Sequence, residues 1–202
     1  MKSWSYQTKL YQKKFNKHLR SSYADEDEHI LTHISNFRKV KRIKDVIDVF
    51  YNASKNVKCK LLMIGDGPEK NKAEKKAKKL GIKDKVIFFG KSNETNKILS
   101  FTDLFLLPSE IESFGLSALE AMAANVPVIS SNTGGIPEVN IDNFSGLLSD
   151  IGDIDKMIND SVMILSDDNI MNKFKVNARK RAENFDIHKI VPQYEKVYKS
   201  LS

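Results

Sequence analysis

The sequence predicts an open, doubly wound α/β fold, a parallel sheet with helices on both faces, followed by a helical carboxyl-terminal tail. Short apolar runs alternate with helical patterns from residue 29 to about residue 148. The runs are nearly continuous rather than alternating, which is the pattern of parallel strands covered on both faces. Their connections are short, so repeated strand–helix units wound around one sheet account for the order.

The elements follow in sequence. Residues 29–35 read as the first strand, and a helix over about 42–55 sets Ile43, Val46, Ile47 and Phe50 on one face. Residues 60–64 form a second strand, and the helix after it buries only a narrow stripe of Ala73, Ala77 and Leu80. A third strand over 86–89 leads to a short helix around 96–101, and a fourth spans 104–107. A helix over about 114–124, rich in Leu, Ala and Met, precedes a fifth strand at 126–130 and a short sixth at 146–148. Residues 1–28 are polar, with Tyr6, Leu10, Tyr11 and Phe15 as scattered apolar points, and read as a lead-in segment ending in an acidic loop. The predicted domain occupies 29–185. Residues 153–201 read as helices only, and the last, over 186–202, has Pro192 near its first turn, where proline is tolerated.

Composition narrows the function. The chain has 202 residues, 41% hydrophobic and 29% charged, which excludes a disordered chain and suffices for one large domain. No run approaches the ~18 consecutive apolar residues of a membrane span, and residues 1–7 lack a signal-peptide core. A lone cysteine, Cys59, excludes an internal disulfide framework and fits a reducing compartment, so the cytoplasm is the expected location. The net charge of +7 invites a nucleic-acid reading, but eight lysines sit together in residues 69–85. Neither arginine nor aromatic residues interrupt them, so they read as a solvated helix face and no nucleic-acid partner is expected.

In open α/β sheets ligands bind beyond the carboxyl ends of the strands. The loop after the first strand carries Arg38, Lys39, Lys41 and Arg42 just before a helix, which fits either a phosphate site or a solvated basic turn. The loop after the second, Gly65-Asp66-Gly67-Pro68, allows a tight strand-to-helix turn. It is not a dinucleotide fingerprint, because Lys70 occupies the third glycine's position. After the fourth strand, Ser113 is a candidate N-cap and Gly115 lets a ligand approach the first-turn amides, with Glu112 before them and Glu120 about two turns along. The two carboxylates fit either the ends of an extended anionic ligand or ordinary surface positions. The loop after the fifth strand holds Gly134 and Gly135, by itself a generic turn.

Taken together these loops resemble a known family. The run from Glu112-Ser113-Phe114-Gly115-Leu116 to Glu120-Ala121-Met122-Ala123 resembles the Glu-x7-Glu motif of retaining glycosyltransferases of family 4 (glycosyl transferases group 1), which have the GT-B architecture of two Rossmann-like domains. Gly65-Asp66-Gly67-Pro68-Glu69, Phe89-Gly90, Pro127-Val128-Ile129 and Gly134-Gly135-Ile136-Pro137-Glu138 continue the match over roughly residues 29–200. The segment from His33 to Arg42 is most similar to the branch that transfers GlcNAc from UDP-GlcNAc to L-malate in bacillithiol biosynthesis. Many relatives have Gly-Arg at this strand end; here Asn36 holds the arginine's place, Lys41 keeps the family's lysine, and Arg38 is the replacement cation.

The resemblance implies the carboxyl-terminal, donor-binding domain. Lys41 and Arg38 would bind the diphosphate, Glu112 the donor sugar's hydroxyls, and the amides of Phe114, Gly115 and Leu116 the distal phosphate. Glu120 would bind the ribose, and Gly90, Lys91 and Ser92 the uracil; Gly65, Asp66, Gly67, Gly134 and Gly135 belong to the same set of donor loops. It implies a UDP-sugar substrate, no metal and no cofactor. It also implies a separate amino-terminal acceptor domain, on which the last helix would pack, and little transfer by this chain without it. Other products of the family, a cell-surface glycan or a glycolipid, and an inactive binding module are the alternatives. Asp25-Glu26-Asp27 and Asp153-Ile154-Asp155 match a metal-binding Asp-x-Asp only formally, since neither follows a central strand, and His18, His29, His33 and His188 form no cluster. A dinucleotide-dependent oxidoreductase would share the sheet but lacks the glycine fingerprint.

Overall fold

The computed structural model describes residues 17–201. Among them, six parallel strands form one sheet: β1 (His29–Ile34), β2 (Cys59–Ile64), β3 (Val86–Gly90), β4 (Leu104–Leu107), β5 (Val128–Ser131) and β6 (Gly146–Ser149). Their order is β3-β2-β1-β4-β5-β6, so the winding reverses between β1 and β4. A short helix α1 (Lys17–Arg20) leads in. The connecting helices are α2 (Ile43–Ala53), α3 (Lys70–Lys79), α4 (Thr95–Leu99), α5 (Leu116–Ala123) and α6 (Ile136–Val139). The tail holds α7 (Ile154–Ser166), α8 (Asp168–Ala182) and α9 (Ile187–Leu201).

Alternate strand residues feed opposite cores, which is why the strands read as unbroken apolar runs. Leu31, Leu61, Met63, Leu106 and Ile129 pack with Ile47 and Phe50 of α2 and Ile164 of α7. On the other face Phe105, Leu107 and Val128 meet Ala118, Leu119 and Met122 of α5. Ile30, Leu62 and Ile64 close on Ile98 and Phe101. Each fully buried aliphatic or aromatic side chain contributes about 1.5–3 kcal/mol. In α3 only Ala73 and Ala77 are buried, while Lys72 and Lys76 pair with Glu69 and Asp48.

Several boundaries differ from the sequence reading for local reasons. Helix α5 starts at Leu116, not 114, because Gly115 is its N-cap with φ 86°; Ser113 therefore caps nothing. Helix α2 starts after Arg42, whose left-handed φ of 50° ends the preceding 3-10 turn. Strand β5 starts at Val128, and Pro127 contributes only its carbonyl, which accepts from the Phe105 N–H at 3.0 Å. Pro192 lies inside α9 rather than near its first turn. Exposure explains the tolerance: residues 187–189 and 191–200 are exposed, so water can meet the carbonyl its ring leaves unpaired.

The described end of the lead-in segment packs on the sheet. The Arg20 guanidinium donates to the Phe101 and Glu28 carbonyls and pairs with Asp103 at 2.9 Å. Tyr23 stacks on Phe101, with ring centroids 5.8 Å apart. The apolar points Tyr6, Leu10, Tyr11 and Phe15 lie outside the described residues. Among the described residues no helix is long and apolar enough to cross a membrane.

Candidate functional site

The reversal of winding between β1 and β4 opens a crevice at their carboxyl ends, where such sheets bind ligands. A cleft of about 480 Å³ lies there. Residues 34–36 and Lys41 line one side, and residues 111–117 with Glu120 line the other.

The β1 loop is held rigidly in an unusual conformation. His33 is completely buried; its Nδ1 donates to the Leu106 carbonyl at 2.8 Å, and its Nε2 accepts from the Ser35 hydroxyl at 2.8 Å. The Ser35 oxygen in turn accepts from the Phe37 N–H at 3.3 Å. Burial pushes the His33 pKa down to about 4, and the nearby Lys41 charge acts the same way, against the Leu106 hydrogen bond. The ring is therefore neutral at pH 7, with the proton on Nδ1. Phe37 and Arg42 flank the basic segment, both with left-handed φ, at 38° and 50°. Such strain persists only where the surroundings overdetermine it. Here Phe37 is fully buried, the Glu69 N–H donates to its carbonyl at 3.0 Å, and the Glu110 N–H donates to the Val40 carbonyl at 2.7 Å.

The four cations of that loop diverge. Lys41 turns into the cleft and forms an ion pair with Glu112. Arg42 is clamped to Asp45 at 2.5 Å. Arg38 and Lys39 are exposed, and neither lines the cleft. Glu112 is almost buried, with 11% of its side chain exposed. Its Oε1 takes the Lys41 ammonium and also the hydroxyl of fully buried Ser109, at 3.0 Å. Its Oε2 has no hydrogen-bond partner among the described residues.

Helix α5 supplies the rest. The N–H groups of Leu116, Ser117 and Ala118 have no acceptor among the described residues, since the first helical bond runs from Leu119 to the Gly115 carbonyl. Leu116 and Ser117 line the cleft, so this end of the helix dipole lies at its wall. One turn on, Glu120 is half-buried on the cleft wall, and burial raises its pKa. Its carboxylate has no hydrogen bond or ion pair among the described residues. Because residues 112–115 are not helical, Glu112 and Glu120 border one cavity instead of standing along a single helix.

The glycine loops stand outside that cleft lining and shape it from behind. A Cβ on Gly65 would fall 1.7 Å from the Ser35 carbonyl oxygen, and one on Gly67 2.2 Å from that of Asn36. A Cβ on Gly134 would fall 1.9 Å from the Glu112 carbonyl oxygen, and one on Gly135 2.3 Å from that of Ser113. Asp66 is exposed. Gly90 has φ 70° with open space around it, Lys91 is exposed, and Ser92 accepts from the Glu94 N–H at 3.1 Å. Asp153 caps α7 through the Lys156 N–H. Among the described residues no group of three His, Cys, Asp or Glu is placed to share a metal ion.

Sequence reasoning missed Ser109, His33 and Ser35. Ser109-x-x-Glu112 has the spacing of a capping box, yet no helix begins there, so the pattern signalled a serine–glutamate contact of another kind. A histidine in β1 and a serine two residues on, just past the strand's end, fall on one face of an extended chain, which is the only advance sign of their hydrogen bond.

The doubly wound sheet with its cleft at the switch point defines a Rossmann-like ligand-binding domain of the GT-B class. The glycosyl transferases group 1 family model matches residues 14–181, and the chain belongs to that family. It is 42% identical to the N-acetyl-alpha-D-glucosaminyl L-malate synthase of Bacillus anthracis over 192 residues, covering 94% of this chain and 50% of that protein. Among solved structures, a mutant of TarM of S. aureus, crystallised in complex with Fondaparinux, alpha-GlcNAc-glycerol and UDP, is 26% identical. It superposes with a TM-score of 0.78 over 87% of this chain and 36% of that one. The separately crystallised carboxyl-terminal domain of the group 1 protein LpcC from Francisella tularensis, 24% identical, shares the fold with a TM-score of 0.77 over 89% of this chain and 98% of its own. The chain thus spans half or less of the length of the curated relatives it matches.

Proposed function

We propose that this chain is the nucleotide-sugar-binding half of a retaining, metal-independent glycosyltransferase that transfers GlcNAc from UDP-GlcNAc to L-malate. One observation carries the reading: Lys41, Glu112, the free amides of α5 and an unpartnered Glu120 converge on one cleft at the switch point. The amides and Lys41 suit a diphosphate, Glu120 a ribose diol, and the free Oε2 of Glu112 a sugar hydroxyl. Arg38, on the exposed side of the loop, reaches the phosphates only if its long side chain swings inward. The glycines at 65, 67, 134 and 135 act by holding the donor loops, and residues 90–92 offer backbone groups to the base. The 42% identity to a malate-using enzyme supports the sugar and acceptor.

In this scheme the chain's residues stabilise charge developing on the leaving diphosphate, usually the largest catalytic term. The leaving phosphate itself takes the acceptor's proton, so no side-chain base is required of this half. Transfer further needs the acceptor held beside the donor, an advantage worth roughly 7–11 kcal/mol. An acceptor-binding domain, in the same or another polypeptide, fits the apolar groove of about 610 Å³ between α5 and α9. Leu116, Tyr194 and Val197 border it and are largely exposed.

The test is isothermal titration of the 202-residue chain with UDP, UDP-GlcNAc and NAD, with and without chelator. Binding of UDP and UDP-GlcNAc that survives chelator and falls at least about tenfold in Lys41→Ala and Glu120→Ala is the expected outcome. NAD binding in preference to UDP, or UDP binding indifferent to both substitutions, refutes the proposal.

A further inference from the structure

We infer that Ser109 is the positioning residue for Glu112, and that through Glu112 it sets how well the cleft tells a nucleoside diphosphate sugar from the bare nucleoside diphosphate. This rests on the donor-site reading above. The hydroxyl of Ser109 is wholly buried and ends on Glu112 Oε1, the same oxygen that Lys41 holds. Both anchors on one oxygen leave Oε2 without a partner, on a residue that lines the cleft.

The two anchors are not equivalent once an anion arrives. An ammonium beside a diphosphate shifts its hydrogen bonds towards the greater negative charge, so Lys41 is the anchor that a bound donor loosens. Ser109 carries no charge and lies beneath the cleft, outside its lining, so no ligand competes for it. It is the contact that still fixes the Glu112 carboxylate when donor occupies the site. The backbone supports the same geometry: the Glu110 N–H is tied to Val40, and the Gly135 N–H donates to the Glu112 carbonyl at 3.1 Å. A carboxylate so fixed meets a sugar hydroxyl without first losing side-chain freedom, which is the source of its selectivity.

The experiment measures the ratio of the association constants for UDP-GlcNAc and UDP on the full chain, for wild type, Ser109→Ala, Ser109→Cys and Glu112→Ala. Both ligands share the phosphate contacts, so the ratio isolates the sugar. Cysteine fills nearly the same space as serine but donates poorly, which separates hydrogen bonding from packing. We expect both Ser109 variants to move the ratio in the direction set by Glu112→Ala, by about threefold or more. A change in Ser109→Ala without one in Ser109→Cys overturns the inference in favour of packing. A ratio that moves in Glu112→Ala but in neither Ser109 variant overturns it outright. No UDP binding by wild type, or a ratio indifferent to Glu112→Ala, removes the donor-site reading and this inference with it.

Discussion

Acid destabilises this domain through one buried imidazole. His33 sits at the centre of the sheet with its pKa lowered from 6.5 to about 4, chiefly by burial. Below pH 6.5 the unfolded chain therefore binds a proton that the folded chain refuses. The sign follows from linkage: stability rises with pH wherever the unfolded state holds more protons. The His33 contribution is complete above about pH 6.5, falls by about 2 kcal/mol at pH 5, and totals about 3 kcal/mol once pH drops through 4. Other shifted groups do not mimic this loss. Asp103, desolvated by burial but held low by Lys175 and Arg20, titrates below the window. Glu120, raised by burial, acts with the opposite sign, because its folded form takes up the proton more readily. Urea unfolding at about pH 7 and pH 5, compared between wild type and His33→Gln, measures the term. Glutamine retains a donor for the Leu106 carbonyl and an acceptor for Ser35 but does not titrate. Wild type is expected to lose about 2 kcal/mol more than the variant between the two pH values. Equal losses in both would refute a neutral, buried His33.

Gly134→Ala should cost about 2–4 kcal/mol in urea unfolding, since the new methyl collides with the Glu112 carbonyl at a φ of 53°. Gly81→Ala, with φ 71° but open space, isolates the conformational part and should cost only about 1 kcal/mol. Asp103→Asn removes the charge shared by Arg20 and Lys175 and turns one of the two acceptor oxygens into a donor amide, so about 3 kcal/mol and on the order of 5–10 °C in Tm should disappear, although the remaining oxygen can still accept from the Ile30 N–H. A melting temperature within about a degree of wild type would show that those cations solvate freely.

The sheet was legible because burial on both faces leaves an unmistakable run of apolar residues, as in Leu104–Leu107, where all four are buried. Boundaries were less so, because they turn on backbone geometry. Phe37 and Arg42 adopt left-handed φ without being glycine, and sequence gives no sign of that. Strand ends and helix starts marked the loops that carry Lys41, Glu112 and the α5 amides as places to inspect, and the family resemblance assigned them to one site. The division of labour among the four loop cations was not foreseen, because Arg42 finds Asp45 through a helix start that the sequence placed one residue too early. Ser109 was missed for a similar reason: a hydroxyl's partner depends on where a loop folds back, and no local periodicity encodes it.

The glycine motifs show why a family pattern and a physical role need separate arguments. By themselves Gly65-x-Gly67 and Gly134-Gly135 read as turns, and only the family resemblance counts them among the donor loops. In the fold each pair presses on the neighbouring loop at a distance no side chain permits, the first on Ser35 and Asn36, the second on Glu112 and Ser113. The two loops so buttressed are those whose side chains line the cleft. A short cleft loop is precise only if its conformation is fixed from outside, and hydrogen bonds such as Gly65 N–H to the Gly90 carbonyl, at 2.8 Å, extend that fixation from strand to strand. Selection for a donor site would thus keep these glycines even if no ligand atom ever touched them. Their substitution is then expected to disturb binding through Lys41 and Glu112, with loss of stability and loss of affinity arising from one collision.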